Sequence, residues 1–88
     1  MNWRIDVHPS AEKQYLRLDA TTRQRLKTAL LDLQGSDQPL NHPRVRPLRG
    51  TLKGDYRTRV GGWRILMTPD REARVLHVYA ILRRGDAY

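Results

Sequence analysis

A diglycine set between two short runs of alternating side chains limits this chain more than any other feature. In residues 55–67, DYRTRVGGWRILM, the period of two sends Tyr56, Thr58 and Val60 to one side of a strand and Arg57 and Arg59 to the other. A two-residue primed turn at Gly61-Gly62 needs the positive φ that glycine tolerates. It places Val60 opposite Trp63, Arg59 opposite Arg64 and Thr58 opposite Ile65. Two guanidinium groups then face each other across the hairpin. Like charges directly opposite on a sheet face are destabilising, by roughly a few tenths to 1 kcal/mol, so local folding gains nothing from this pair. An anionic partner would.

The remaining segments supply something for the apolar face of this hairpin to pack against. Residues 3–7 (WRIDV) alternate Trp3, Ile5 and Val7 with Arg4 and Asp6, the pattern of a half-buried strand, which ends at His8-Pro9. Proline suits a first helical position, and Ala11, Tyr15 and Leu18 follow at helical spacing. Asp19 or Thr21 can cap a second helix whose stripe is Leu26, Ala29, Leu30 and Leu33, with Gly35 as a left-handed stop. A helix-turn-helix is disfavoured, because the second helix carries a leucine stripe and no evident set of base-reading polar side chains. Residues 36–46 (SDQPLNHPRVR) read as a loop anchored by Leu40 and Val45, followed directly by Pro47. The strand that starts at Trp63 is expected to stop at a Pro69-Asp70 turn. Residues 75–82 (VLHVYAIL) are almost continuously apolar, as in a strand buried on both faces. A polar ending, residues 83–88, is expected beside the sheet.

The order β-α-α-β-β-β predicts an α+β domain: an antiparallel-rich small sheet with two N-terminal helices packed on one face. Eighty-eight residues are enough for a single domain over 1–88 and too few for two cores. Tyr56, Val60, Trp63, Ile65 and Met67 would face the helices, leaving Arg57, Arg59 and Arg64 on the uncovered side. The chain has no cysteine, so a disulfide frame and a thiolate metal site are excluded. It shows no signal peptide and no apolar run near the ~18 residues of a membrane span, so a cytoplasmic protein with no membrane contact is expected.

Charge locates the chemistry. Of the net charge of +8, residues 1–43 carry +1 and residues 44–88 carry +7. Fourteen of the seventeen basic side chains are arginine, whose planar fork matches phosphate oxygens and stacks on bases. A solvated basic surface is the plain alternative, but this arginine-rich footprint points to nucleic acid or the ribosome. No glycine-rich phosphate loop, metal triad or nucleophile motif is readable along the chain.

Several pieces occur together in a recognisable order. They are a helical pair before the sheet, Leu48-Arg49-Gly50, Tyr56-Arg57-x-Arg59-Val60-Gly61-x-Trp63-Arg64-Ile65, and the ending Arg84-Gly85-Asp86-Ala87-Tyr88. In this the chain resembles the RelE/ParE toxins of bacterial type II toxin-antitoxin systems, and more closely the RelE-like branch of ribosome-dependent mRNA endonucleases. The resemblance implies cleavage of mRNA in the ribosomal A site without metal or other cofactor, the 2′-hydroxyl attacking the adjacent phosphate. It also implies a cognate antitoxin as partner, and contact with DNA only indirectly through the antitoxin complex. By the same resemblance Arg57, Arg59, Arg64, Arg84 and Tyr88 form the catalytic set. Lys53, Arg83 and Arg49 are assigned as supporting RNA contacts.

The chain departs from the family pattern at the base. Some members carry lysine at the positions of Arg57 and Arg59, and lysine can be tuned to transfer a proton, whereas arginine stays protonated. These two arginines are therefore expected to act electrostatically, leaving Tyr88, or else His77 or a ribosomal group, as proton carrier. His77 sits in an apolar strand, where a hydrogen-bonded core histidine is the plainer reading, and His8 and His42 read as turn residues. Tyr56 and Trp63 could stack bases, as could Tyr79, but the first two fall on the core face, which favours packing. The alternatives are a ParE-like inhibitor of DNA gyrase on the same fold and a non-catalytic RNA- or ribosome-binding module.

Overall fold

The computed structural model describes residues 3–83. Its first strand, β1 (Arg4–Val7), leads into α1 (Pro9–Leu16) with Pro9 in the first turn after His8. Asp19 begins α2 (Ala20–Gln34) by accepting a hydrogen bond from the Thr22 amide at 3.3 Å. Those bonds hold the Asp19 carboxyl below the usual carboxylate range, the Thr22 hydroxyl contributing most and the Thr22 amide next. Gly35 ends the helix as expected but in the right-handed region, φ −79°. Its amide still bonds Leu31 O at 2.9 Å, so the helix stops without a left-handed residue.

The sheet has five strands. A short β2 (Val45–Pro47) lies where the sequence suggests only loop, and β3 (Tyr56–Val60), β4 (Trp63–Asp70) and β5 (Val75–Arg83) follow. Their spatial order is β1-β5-β4-β3-β2, with β1 parallel to β5 and the other neighbours antiparallel. The expected α+β class is observed, with β2 as an added outer strand. Three residues ending in proline suit a sheet edge, where the missing amide donor faces no neighbour.

Strand β4 runs through Pro69, past the expected stop, because Pro69 and Asp70 pair with Leu76 and Val75. The reversal falls instead at residues 71–74, where the Asp70 carboxylate accepts from the Ala73 amide at 3.0 Å and Arg74 takes φ 56°. An aspartate that bonds its own backbone further along favours a turn. Between Leu66 and Met67 the β4–β5 register shifts, leaving Tyr79 as the extra residue.

Both helices lie on one face of the sheet. Ala11 from α1 and Leu26, Ala29 and Leu33 from α2 join Val45, Val60, Ile65, Met67, Leu76, Val78 and Ile81 in one buried cluster. Tyr56 and Trp63 pack against it, in the packing role expected of them. The long apolar run in β5 is only partly buried on its second face: His77, Tyr79, Ala80 and Leu82 are half-buried. Among the described residues no helix is long and apolar enough to cross a membrane.

Candidate nucleic-acid interface

The hairpin register matches the spacing argument. Val60 pairs with Trp63, Arg59 with Arg64 and Thr58 with Ile65. Gly61 has φ +59° and Gly62 is outside the positive-φ set, the sign pattern of a type II′ turn. Because Val60, Thr58 and Ile65 are buried on the helix side, alternation turns Arg57, Arg59 and Arg64 to the opposite, open face.

The edge strand adds a fourth arginine there. Arg46 pairs directly with Arg57, and its guanidinium donates to Pro43 O at 3.0 Å and Val45 O at 3.2 Å. Cross-strand side chains start about 5 Å apart and those two residues along a strand about 7 Å apart. Arg46, Arg57, Arg59 and Arg64 thus form a compact cationic quartet. Arg59 is exposed and makes no hydrogen bond or ion pair among the described residues, while Arg57 and Arg64 are half-buried and have partners.

The floor beside this quartet is apolar. Leu66, 2% exposed, lies opposite Arg57 on the open face, and Leu48, 8% exposed, is held by its amide bond to Asp55 O at 2.9 Å. The segment carrying Leu48 continues through a 3-10 turn at Gly50–Leu52, with Gly50 at φ 71° and Gly54 at φ 103°. Arg49 and Lys53 are exposed around a depression of about 320 Å³ beside Tyr56. None of Arg46, Arg57, Arg59 and Arg64 lines that depression.

Arg83 is placed differently. It pairs with Trp63 at the end of β5 and its guanidinium carbon sits 5.5 Å from the indole ring. Trp63 packs against the helix-side core, so Arg83 stands on the other side of the sheet from Arg59 and Arg64. Arg84 and Tyr88 lie outside the described residues. Arg46 was not among the residues singled out in sequence, since a loop reading gives its side chain no defined direction. A surface depression of about 610 Å³ lies on the helix side between Thr21, Arg25, Thr28, Arg44 and Val60. Its lining holds two cations, Arg25 and Arg44, and no acid-base group, against four arginines on the open face, which is therefore the stronger candidate.

Of the proton carriers suggested by sequence, His77 is the one within the described residues, and it is not beside the quartet. His77 lies across from Thr68, which is four residues along β4 from Arg64, or about 13 Å. Its Nδ1 is 3.0 Å from His8 Nε2. Between the two groups Asp55 accepts hydrogen bonds from the Thr68 hydroxyl at 2.9 Å and the Tyr79 phenol at 2.8 Å. Burial, and secondarily the Asp55 carboxylate, raise the Tyr79 phenol well above its ordinary pKa. Tyr79 is thereby kept as a hydrogen-bond donor and is unsuited to act as a base.

That shift has a pH signature. The folded chain retains the Tyr79 proton where the unfolded chain, with an ordinary phenol near pKa 10, releases it. Stability from this group is complete below about pH 10 and declines as pH rises further. Urea denaturation at about pH 8 and about pH 11 should show a loss of stability that is smaller in Tyr79→Phe than in the parent chain. Equal losses would mean that Tyr79 ionises as freely in the folded state as in the unfolded one.

Comparison with known proteins places this architecture. The family model described as "ParE toxin of type II toxin-antitoxin system, parDE" matches residues 5–88. The toxin in an archaeal RelE-RelB complex from Pyrococcus horikoshii OT3 superposes with TM-score 0.78 at 24% identity, covering 99% of this chain and 100% of that one. The isolated E. coli RelE toxin gives 0.72 at 24% identity, covering 97% and 87% respectively. A YoeB/ParE toxin from Agrobacterium tumefaciens gives 0.75 at 17% identity, covering 94% and 99%. No curated protein sequence matches the chain. At these identities the structural likenesses establish a shared fold.

Proposed function

The chain belongs to the ParE toxin family of type II toxin-antitoxin systems, and we propose that within this family it is a toxin that cleaves mRNA on the ribosome. The observation that carries this reading is the open-face quartet of Arg46, Arg57, Arg59 and Arg64. Transfer of a phosphodiester to its own 2′-hydroxyl builds extra negative charge on the non-bridging oxygens. Fixed cationic donors aimed at that charge stabilise the transition state more than the ground state.

In the proposed reaction the 2′-oxygen bonds to phosphorus, the bond to the 5′-oxygen breaks, and a 2′,3′-cyclic phosphate and a 5′-hydroxyl result. Arg59 and Arg64 face the phosphate as a pair, with Arg57 and Arg46 completing the cationic surround. Arginine remains protonated and supplies no base. The 2′-hydroxyl proton and the proton for the leaving oxygen are therefore assigned to Tyr88 or to a group of the ribosome, with Arg84 as a further cation by the family resemblance. Arg49 and Lys53 hold neighbouring phosphates, and each such contact adds to the salt dependence of binding. Arg83, across the sheet, is assigned to a secondary contact with RNA. The physiological partner is a cognate antitoxin that masks the arginine face, consistent with RelE structures solved as complexes with RelB antitoxins.

A gyrase-directed toxin is the second reading, favoured by the ParE description of the matching family. Mapping mRNA 5′ ends and gyrase-dependent DNA breaks in the same expressing cells distinguishes them. Cuts in translated mRNA at fixed codon positions are the expected result. DNA breaks without such cuts would replace the nuclease reading with the gyrase one, and neither would leave a ribosome- or RNA-binding module.

A further inference from the structure

A cluster unrelated to the arginines forms where β1 meets β5. Asp6 and His77 are partners in the parallel register of these strands, so their side chains project from the same open face. The His8 amide bonds Val78 O at 2.9 Å, which fixes the residue after β1 against β5 and brings its ring to His77. The result is a triangle of donor atoms. His8 Nε2 and His77 Nδ1 are 3.0 Å apart, and Asp6 Oδ2 is 3.4 Å from His77 Nδ1 and 3.8 Å from His8 Nε2.

We infer that Asp6, His8 and His77 bind a divalent cation of the zinc class. An ion with bonds of about 2.0–2.1 Å holds tetrahedral ligands roughly 3.3 Å apart, a spacing that the three separations bracket. Two imidazoles and one carboxylate suit zinc-like ions, whereas magnesium and calcium favour sites made wholly of oxygen. The two rings meet at 63° with centroids 5.1 Å apart, so they approach a common point without stacking. Their side chains retain 43% and 33% exposure, and that of Asp6 54%. An ion can enter from solvent and complete its shell with water.

An adjoining depression of about 500 Å³, lined by His8, His77, Leu52, Asp55, Thr68 and Tyr79, provides that room. In the ion-free protein the two ring nitrogens share one proton in a hydrogen bond. In the bound form both present lone pairs to the ion, and each ring carries its proton on the other nitrogen. The ion would brace the outer strand β1 against β5, at a distance from the arginine face and with no part in the proposed cleavage.

The test is a titration of the tag-free full chain with zinc chloride, followed by calorimetry and thermal melting, with circular dichroism as the check of folding. One ion per chain and a raised melting temperature are expected. His8→Gln and His77→Gln should each weaken binding by about tenfold or more and reduce the thermal shift. His42→Gln, at the remaining histidine of the sequence, should bind as the parent does. Should His77→Gln fail to fold, His8→Gln, just after β1, and Asp6→Asn carry the same comparison. Parent binding no tighter than that of the His8→Gln variant, or binding lost only in His42→Gln, would overturn the assignment. In that case the cluster is a hydrogen-bonded histidine pair.

Discussion

Replacing Arg59 or Arg64 by alanine is expected to lower mRNA cleavage by about 10²–10³-fold in either case, the usual cost of losing one preorganised donor to a developing oxyanion. The fold should survive, because both side chains project from the open face and neither belongs to the buried cluster. The two residues stand directly opposite each other, so removing either relieves a like-charge contact worth a few tenths of a kcal/mol. Loss of activity with unchanged or slightly raised stability is therefore the signature at Arg59; at Arg64, half-buried and partnered, the signature is loss of activity in a variant that still folds. A mere packing role would lower both together. If both arginines act on one phosphate, as proposed, the double variant should fall well short of the product of the single effects. Arg59→Lys retains charge but loses the planar fork, and should recover part of the activity. Growth arrest by folded Arg59→Ala or Arg64→Ala at parental strength would exclude this mechanism.

The second large effect concerns stability. Leu26 on α2 is 0% exposed and lies in the cluster that joins the helices to Ile65 and Met67. Leu26→Ala should cost about 3 kcal/mol, the transfer term plus the cavity left behind. For a domain of this size that corresponds to a fall in melting temperature on the order of 15 °C. Total stability is about 0.05–0.15 kcal/mol per residue in such proteins, so this one change removes a large share of it. Leu31, on the same helix but 53% exposed, is the internal control. Leu31→Ala should stay within about 0.5 kcal/mol of the parent. Equal costs at the two positions would mean that the buried stripe of α2 is misassigned.

What was readable in the chain follows the reach of each interaction. The arginine pair was legible because a period of two and a two-residue glycine turn are both local rules. They fix Arg59 against Arg64 before any other element is considered. The leucine stripe of α2 and the cap at Asp19 were legible for the same reason. Pro69 misled, because the local turn signal was weaker than the pairing offered by Leu76. Gly35 misled about conformation, since the helix could end through ordinary backbone bonds without a positive φ. Arg84 and Tyr88 enter the proposed site through family resemblance, as residues beyond those described.

Sequence by itself determined the hairpin, its register and the side to which its arginines point, since each depends on neighbours a few residues away. Only the tertiary structure decided which segments fill the sheet edges. Val45–Pro47 becoming β2 sets Arg46 beside Arg57. The parallel docking of β1 on β5 joins His8 to His77 across 69 residues of chain. Such pairings are selected by competition for open edges and by burial against the helices, and neither leaves a periodic trace in the segment that wins.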